Sequence, residues 1–151
     1  ASQVASANAN QLDDYEEGSW TPVLYVDSNA FTNSGVNAGN TFGKYTKIGN
    51  RVDFLTVYIF GDTISVTSGS EMVMRGLPLF GGTIDSGVNY THLGSGVVLD
   101  SGTGIRGVFG HQISNYMYLR GTIDDIKYDE AAPQTWAVND QISLRGTYFI
   151  T

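Results

Sequence analysis

The chain has 151 residues, 41% hydrophobic and only 15% charged, with eight basic and fifteen acidic side chains and a net charge of −7. That length suits one domain with a sizeable core, and that hydrophobic fraction excludes compositional disorder. The acidic balance argues against nucleic-acid binding by phosphate neutralisation, which needs a basic stripe.

No apolar run approaches the ~18 residues of a membrane span, and no charged-then-apolar signal segment opens the chain, so no membrane insertion is expected. Cys is absent, which excludes thiolate metal sites and thiol catalysis. Ser, Thr, Asn and Gly take the place of the missing charges on the surface.

Residues 1–18 (ASQVASANANQLDDYEEG) are small, polar and helix-tolerant, with Val4 and Leu12 as the only aliphatics larger than Ala. They read as a linker or the remnant of a stem, with a disordered arm as the alternative; residues 19–151 read as the folded domain. Asp13, Asp14, Glu16 and Glu17 make the lead acidic, a pattern typical of a solvated face.

Strand signals begin at Trp20. WTPVLYV (Trp20–Val26) is β-branched and aromatic, with Pro22 near a strand start or an edge. Tyr45–Val52 reads as strand, turn, strand, with Gly49–Asn50 as a two-residue hairpin turn. Lys47 and Arg51 flank that turn and are expected to pair with Asp14, Glu16 or Glu17.

RVDFLTVYIF (Arg51–Phe60) is the best strand. Val52, Phe54, Tyr58 and Phe60 fall on one face and Leu55, Val57 and Ile59 on the other. A strand apolar on both faces is expected between two sheets, or between a sheet and a neighbouring subunit.

Glu71–Arg75, Gly87–Leu93, Gly96–Leu99, Ile105–Phe109, Tyr116–Ile123 and Gln141–Ile150 follow as further strands. Gly- and Ser-rich turns separate them, and nineteen Gly against three Pro suit many tight turns. The spacing, without helical periodicity, predicts an all-β domain, a β-sandwich or jelly roll. Tyr148 and Phe149 point to opposite faces of the last strand, so that strand too is expected to be covered on both sides.

Catalytic chemistry finds little support. The paired acids Asp13–Asp14, Asp124–Asp125 and Asp129–Glu130 are neighbours in sequence, and neighbours on a strand point to opposite faces. A glycosidase instead needs two carboxyls ~5–9 Å apart across a cleft. His92 and His111 are the only histidines, with no partner at metal-ligand spacing and no nucleophile elbow nearby. Neither enzymatic activity, nor a metal, nor a cofactor is expected.

Four blocks nevertheless resemble a known family. LDDYEEGSWTPVL (Leu12–Leu24), GKYTKIGNRV (Gly43–Val52), GLPLF (Gly76–Phe80) and LRGTYFIT (Leu144–Thr151) occur in the order seen in C-terminal domains of tailed-bacteriophage tail fibre and tailspike proteins. The resemblance implies a homotrimeric β-sandwich at the distal end of a virion appendage, assembled in the host cytoplasm. It implies binding to a bacterial surface polysaccharide, or a purely structural trimer clamp, with any depolymerase activity in domains upstream.

Given that resemblance, aromatics among polar loop residues are the candidate sugar platforms: Tyr90, Tyr116, Tyr128 and Trp136, with Asp129, Asn139 and Asp140 as hydrogen-bonding partners. Each has packing as its alternative role. Tyr15 and Trp20 are expected to anchor the stem to the sandwich. Lys47, Arg51, Tyr148 and Phe149 are expected in structural or trimer contacts.

Overall fold

The computed structural model describes residues 14–26, 29–30, 40–61, 71–78, 91–113, 116–122, 127–128 and 136–150. Among these, every element is a strand: β1 Tyr15–Trp20, β2 Val23–Val26, β3 Asn29–Ala30, β4 Phe42–Ile48, β5 Arg51–Ile59, β6 Met72–Arg75, β7 Thr91–Asp100, β8 Gly104–Ile113, β9 Tyr116–Gly121 and β10 Gln141–Phe149. All pair antiparallel in one sheet of order β1-β4-β5-β10-β7-β8-β9-β6-β2-β3.

That order forces the sheet to curl. β1 forms one edge and β2 lies beside the other, yet only Thr21 and Pro22 separate them in the chain. A flat ten-stranded sheet would hold those strands some eight spacings of ~4.8 Å apart. The two edges must therefore meet, and the twisted sheet folds over itself into an all-β, sandwich-like body with one interior.

Pro22 ends the pairing that Trp20–Val26 would otherwise continue, because it carries no N–H for a ladder. Trp20–Val26 is therefore two strands serving opposite edges. β1 also begins earlier than expected: residues 15–18, assigned to the lead on sequence grounds, pair with β4 from Tyr15↔Ile48 to Trp20↔Gly43.

Alternation sorts the interior. In β5, Val52, Phe54, Thr56 and Tyr58 are buried, while Asp53, Leu55, Val57 and Ile59 are half-exposed. β10 supplies Ile142, Leu144 and Tyr148, and the facing half supplies Leu24, Met72, Met74, Met117 and Leu119. Phe60 stacks on Trp136 at a centroid distance of 4.6 Å and meets Tyr58 edge-on at 5.1 Å. Such ring pairs add ~0.5–1.5 kcal/mol beyond the area they bury.

The motif blocks turn out to be one lock. Gly18 lies opposite Tyr45, and Trp20 opposite Gly43. Each glycine is covered by the aromatic ring of its partner, so a Cβ on either would collide with that ring. The arrangement is reciprocal: each strand gives one ring and accepts one, the device by which aromatics shield strand glycines.

The hairpin between β4 and β5 is a two-residue turn, with Ile48 opposite Arg51 and the positive φ of 60° on Gly49. A positive φ on the first turn residue alone fits a type II′ turn, which needs Gly there. Its amides serve the other blocks. Gly49 donates to the Asp14 carbonyl at 2.9 Å, and Asn50 accepts from the Ile150 amide at 2.8 Å. Tyr148 donates its buried hydroxyl to the Pro78 carbonyl, tying the last strand to the Gly76–Pro78 turn.

β7 runs unbroken across the predicted break between Leu93 and Gly96, with a bulge at His92–Gly94. Its glycines are not turn residues. A Cβ at Gly96 would strike the Ser143 carbonyl, and one at Gly146 the Leu93 carbonyl. The β7 and β10 backbones approach too closely for side chains at these places.

Gly43→Ala should lower stability by about 1–3 kcal/mol, because its methyl displaces the Trp20 indole. Gly104→Ala, where a Cβ meets nothing within 4 Å, should stay within about 0.5 kcal/mol. Urea unfolding midpoints of the two variants test this; equal shifts would show that the ring-on-glycine contact carries nothing.

Candidate functional site

The outer face of the sheet carries the surface that the fold leaves open. Cross-strand registry arranges it in rows. One row is Glu17, Thr46, Asp53 and Thr147; the next, two residues along the strands, is Ser19, Lys44, Leu55, Arg145 and Ser95. Between them runs Gly18, Tyr45, Phe54 and Gly146, whose side chains, where present, turn inward to the core.

The hollow between the two outward rows is an open trough of about 610 Å³ across β1, β4, β5 and β10. Its floor is backbone. Its walls are the polar row on one side and Lys44, Leu55 and Arg145 on the other. The size lies within the usual range of ligand clefts, and the lining mixes hydroxyls, both signs of charge and one aliphatic surface.

Several of these groups already hold one another. Thr147 donates its hydroxyl to Asp53 Oδ1 at 2.5 Å, and Arg51 Nη2 reaches the same oxygen at 2.8 Å. The Thr147 hydrogen bond first, and then Arg51, hold the Asp53 carboxyl below its ordinary pKa, against an opposing push from burial. Tyr15 donates to Glu17, and this hydrogen bond to a carboxylate raises the Tyr15 phenol above its usual value.

On the interior side of the same strands, Lys47 Nζ lies 2.5 Å from Asp14 Oδ1, as expected. Arg51 does not reach the N-terminal acids. It pairs with Asp53 two residues on, its neighbour on the same strand face. Glu16 instead accepts from the Tyr45 hydroxyl.

Further along the outer face, Phe42, Val57, Ser143 and Val97 form one row, and Ile59, Gln141, Leu99 and Ile105 the next. Phe42, Val97 and Ile105 are 42%, 44% and 69% exposed. Val57 and Ile59 of β5, which lie among them, are half-exposed. Phe149, 50% exposed, belongs to a separate row with Ile48 and Arg51 at the other end.

The residues proposed as sugar platforms do not gather. Tyr128 and Trp136 are buried in the core, where their rings meet at 6.0 Å. Burial raises the Tyr128 phenol, whose hydroxyl donates to the Gly107 carbonyl at 3.3 Å. Neither ring can offer a face to a sugar from inside the fold.

Asp140 is likewise buried. Its two carboxylate oxygens accept the amides of Ser101 and Ala137, both at 2.8 Å, which ties two turns together. Asn139 is exposed at the adjoining turn with a left-handed φ of 73°. Tyr116 faces outward on β9, but Arg75 lies between it and Tyr25, 4.1 Å and 3.9 Å from the two ring centroids. Tyr90 and Asp129 lie outside the described residues.

Trp20 packs against the core edge-on to Phe54 at 6.4 Å, while Tyr15 stays at the outer rim. Tyr148 points inward and is buried; burial drives its phenol pKa well up. Registry also sets His92 opposite His111; Phe109 stacks on His92, and the His111 ring lies tilted between Phe109 and Tyr118. The two histidines are nineteen positions apart in sequence, so spacing gave no sign of the pair. The trough was missed for the same reason, because its walls come from four strands and no single segment spells it out.

No protein-family model matches the chain, and no curated protein matches it. Among solved structures, the crystal structure of the Dettilon tailspike protein (gp208) is similar, with a TM-score of 0.61 and 22% identity over 91% of this chain. At that identity the likeness establishes the fold. The chain spans about a quarter of the tailspike's length, 24% of it.

Thr147→Val removes the leading cause of the Asp53 shift, so the Asp53 carboxyl should titrate at higher pH in carbon-detected NMR. A lowered folded pKa stabilises above the ordinary carboxylate value of ~3.9 and is lost as pH falls through the folded value. The stability gap between wild type and variant should therefore narrow on acidification below that range. A gap independent of pH would mean that the hydroxyl acts by packing alone.

Proposed function

We propose that this chain is the distal C-terminal domain of a phage tail fibre or tailspike, trimerising the appendage and recognising a bacterial surface glycan during adsorption. Its place would be the virion tail, joined to further appendage domains upstream, and it would do no chemistry of its own. The observation that carries the trimer is the apolar outer face, on which Phe42, Val97 and Ile105 are exposed.

Phe42, Val57, Val97, Leu99, Ile59 and Ile105 occupy two adjoining rows there. An apolar patch of this kind on a β-sheet marks an interaction surface. A second copy is the simplest occupant, and three heterologous contacts close into a ring without leaving a sticky end. The fold shared with a tailspike supports the placement. The open trough, polar on one wall and part-aliphatic on the other, supports the recognition role.

One observation favours the alternative of a purely structural clamp. The motif residues Gly18, Trp20, Gly43, Tyr45, Gly49, Pro78 and Tyr148 serve internal packing and hydrogen bonding. The resemblance therefore rests on residues that build the domain, and it is the trough alone that argues for a ligand.

In light scattering the chain should run at three times its 16.3 kDa, and Val97→Arg with Ile105→Arg should convert it to monomer with its near-ultraviolet spectrum kept. The trimer should coat susceptible cells and compete with phage adsorption, without releasing reducing ends from their polysaccharide. A trimer that decorates no susceptible strain leaves the clamp; a stable wild-type monomer at low micromolar concentration removes the trimer.

A further inference from the structure

This acidic chain carries only eight basic side chains, and their placement is uneven. Lys47, Arg51, Arg120 and Lys127 each lie against a carboxylate. Arg75 lies between two tyrosine rings. Among the described residues Lys44, Arg106 and Arg145 have no carboxylate partner, and two of these three share one wall of the trough.

Lys44 and Arg145 stand in the same cross-strand row, on either side of Leu55. Two strand spacings put their backbones ~9.5 Å apart, a separation that two long, flexible side chains can close around one anion. The opposite wall offsets only part of this charge. Asp53 is held by Arg51 and Thr147, so Glu17 is the one acid of the trough without a cationic partner among the described residues.

We infer that the trough takes an acidic saccharide, with a carboxylate or phosphate group of the sugar seated between Lys44 and Arg145. This rests on the recognition reading and narrows it to a ligand class. The apolar face of the sugar ring lies over Leu55, and its hydroxyls meet Thr46 and Glu17 across the floor. A guanidinium and an ammonium flanking one anion give charge-assisted hydrogen bonds, stronger than the neutral ones a plain hexose would make.

Glu17 adds direction. A second anion placed against the polar wall is repelled, so the saccharide enters with its charge toward Lys44 and Arg145. Because both cations are exposed, the attraction is screened and weakens as salt rises.

The test is a printed panel of bacterial surface glycans, uronate-, sialate- and phosphate-bearing beside neutral ones, probed with the whole chain at 50 mM and 500 mM salt. Acidic glycans should be retained, less so at high salt. Lys44→Gln and Arg145→Gln should each reduce retention about tenfold, the loss of one charge-assisted contact, and Lys44→Arg should restore most of it. Melting temperature and elution volume, unchanged in the variants, separate lost binding from lost folding. Retention of neutral glycans, or of acidic ones equally by the variants, overturns the acidic-ligand assignment and leaves recognition standing. A folded trimer that retains nothing on the panel overturns both.

Discussion

Two residues, Thr21 and Pro22, join strands that belong to opposite edges of a ten-stranded sheet. Everything else in the domain follows from satisfying that connection. The sheet has to curl until its edges meet, and the curl holds only if β1 stays bound to β4 while β2 stays bound to β6. On the β1 side, the reciprocal pairs Gly18–Tyr45 and Trp20–Gly43 do this with side chains as well as ladder bonds. A ring lying on a glycine buries its own face and covers backbone that would otherwise be wet.

The same closure explains why so many glycines sit inside strands. A curled sheet brings some backbones into near contact, and Gly96 and Gly146 occupy the crowded meeting of β7 and β10. Replacing a side chain with hydrogen costs conformational entropy, by about 0.5–1 kcal/mol relative to Ala. Tight backbone packing and the overlying aromatics offset that cost. Asp140 performs a similar task for the turns, because a buried carboxylate that accepts two amides holds separate loops more firmly than neutral contacts would.

Legibility in the sequence divides along the same line. Alternation in β5 sorted Val52, Phe54 and Tyr58 onto one face and Leu55, Val57 and Ile59 onto the other, because period two is a local property, but which face is inner depends on the rest of the sheet. Gly49–Asn50 was equally legible as a hairpin turn. Gly94 and Ser95 read as a break because nothing local distinguishes a turn glycine from one pressed by a neighbouring strand. Tyr128 and Trp136 read as surface aromatics because polar neighbours surround them in sequence, whereas in space they face each other and Trp136 stacks on Phe60. The trough and the His92–His111 pair depend wholly on registry between strands. Registry is a property of the sheet and of no single segment.

The outer face is divided along the strand direction, and the division lets the two proposed uses, association and ligand binding, share one surface. The apolar rows around Val57 and Val97 lose free energy of hydration if left wet, at about 25 cal/mol per Å², so covering them favours association. The trough rows, two to four residues along the same strands, carry Lys44, Arg145 and Glu17, groups that resist burial without a partner. A copy seated on the apolar rows therefore gains by stopping short of the trough, which stays open to solvent at the rim. In the proposed trimer, three such troughs would face the proposed ligand, a polysaccharide whose own units repeat. Weak, salt-sensitive contacts then combine through effective concentration, and a single chain gains no advantage from binding any one sugar tightly.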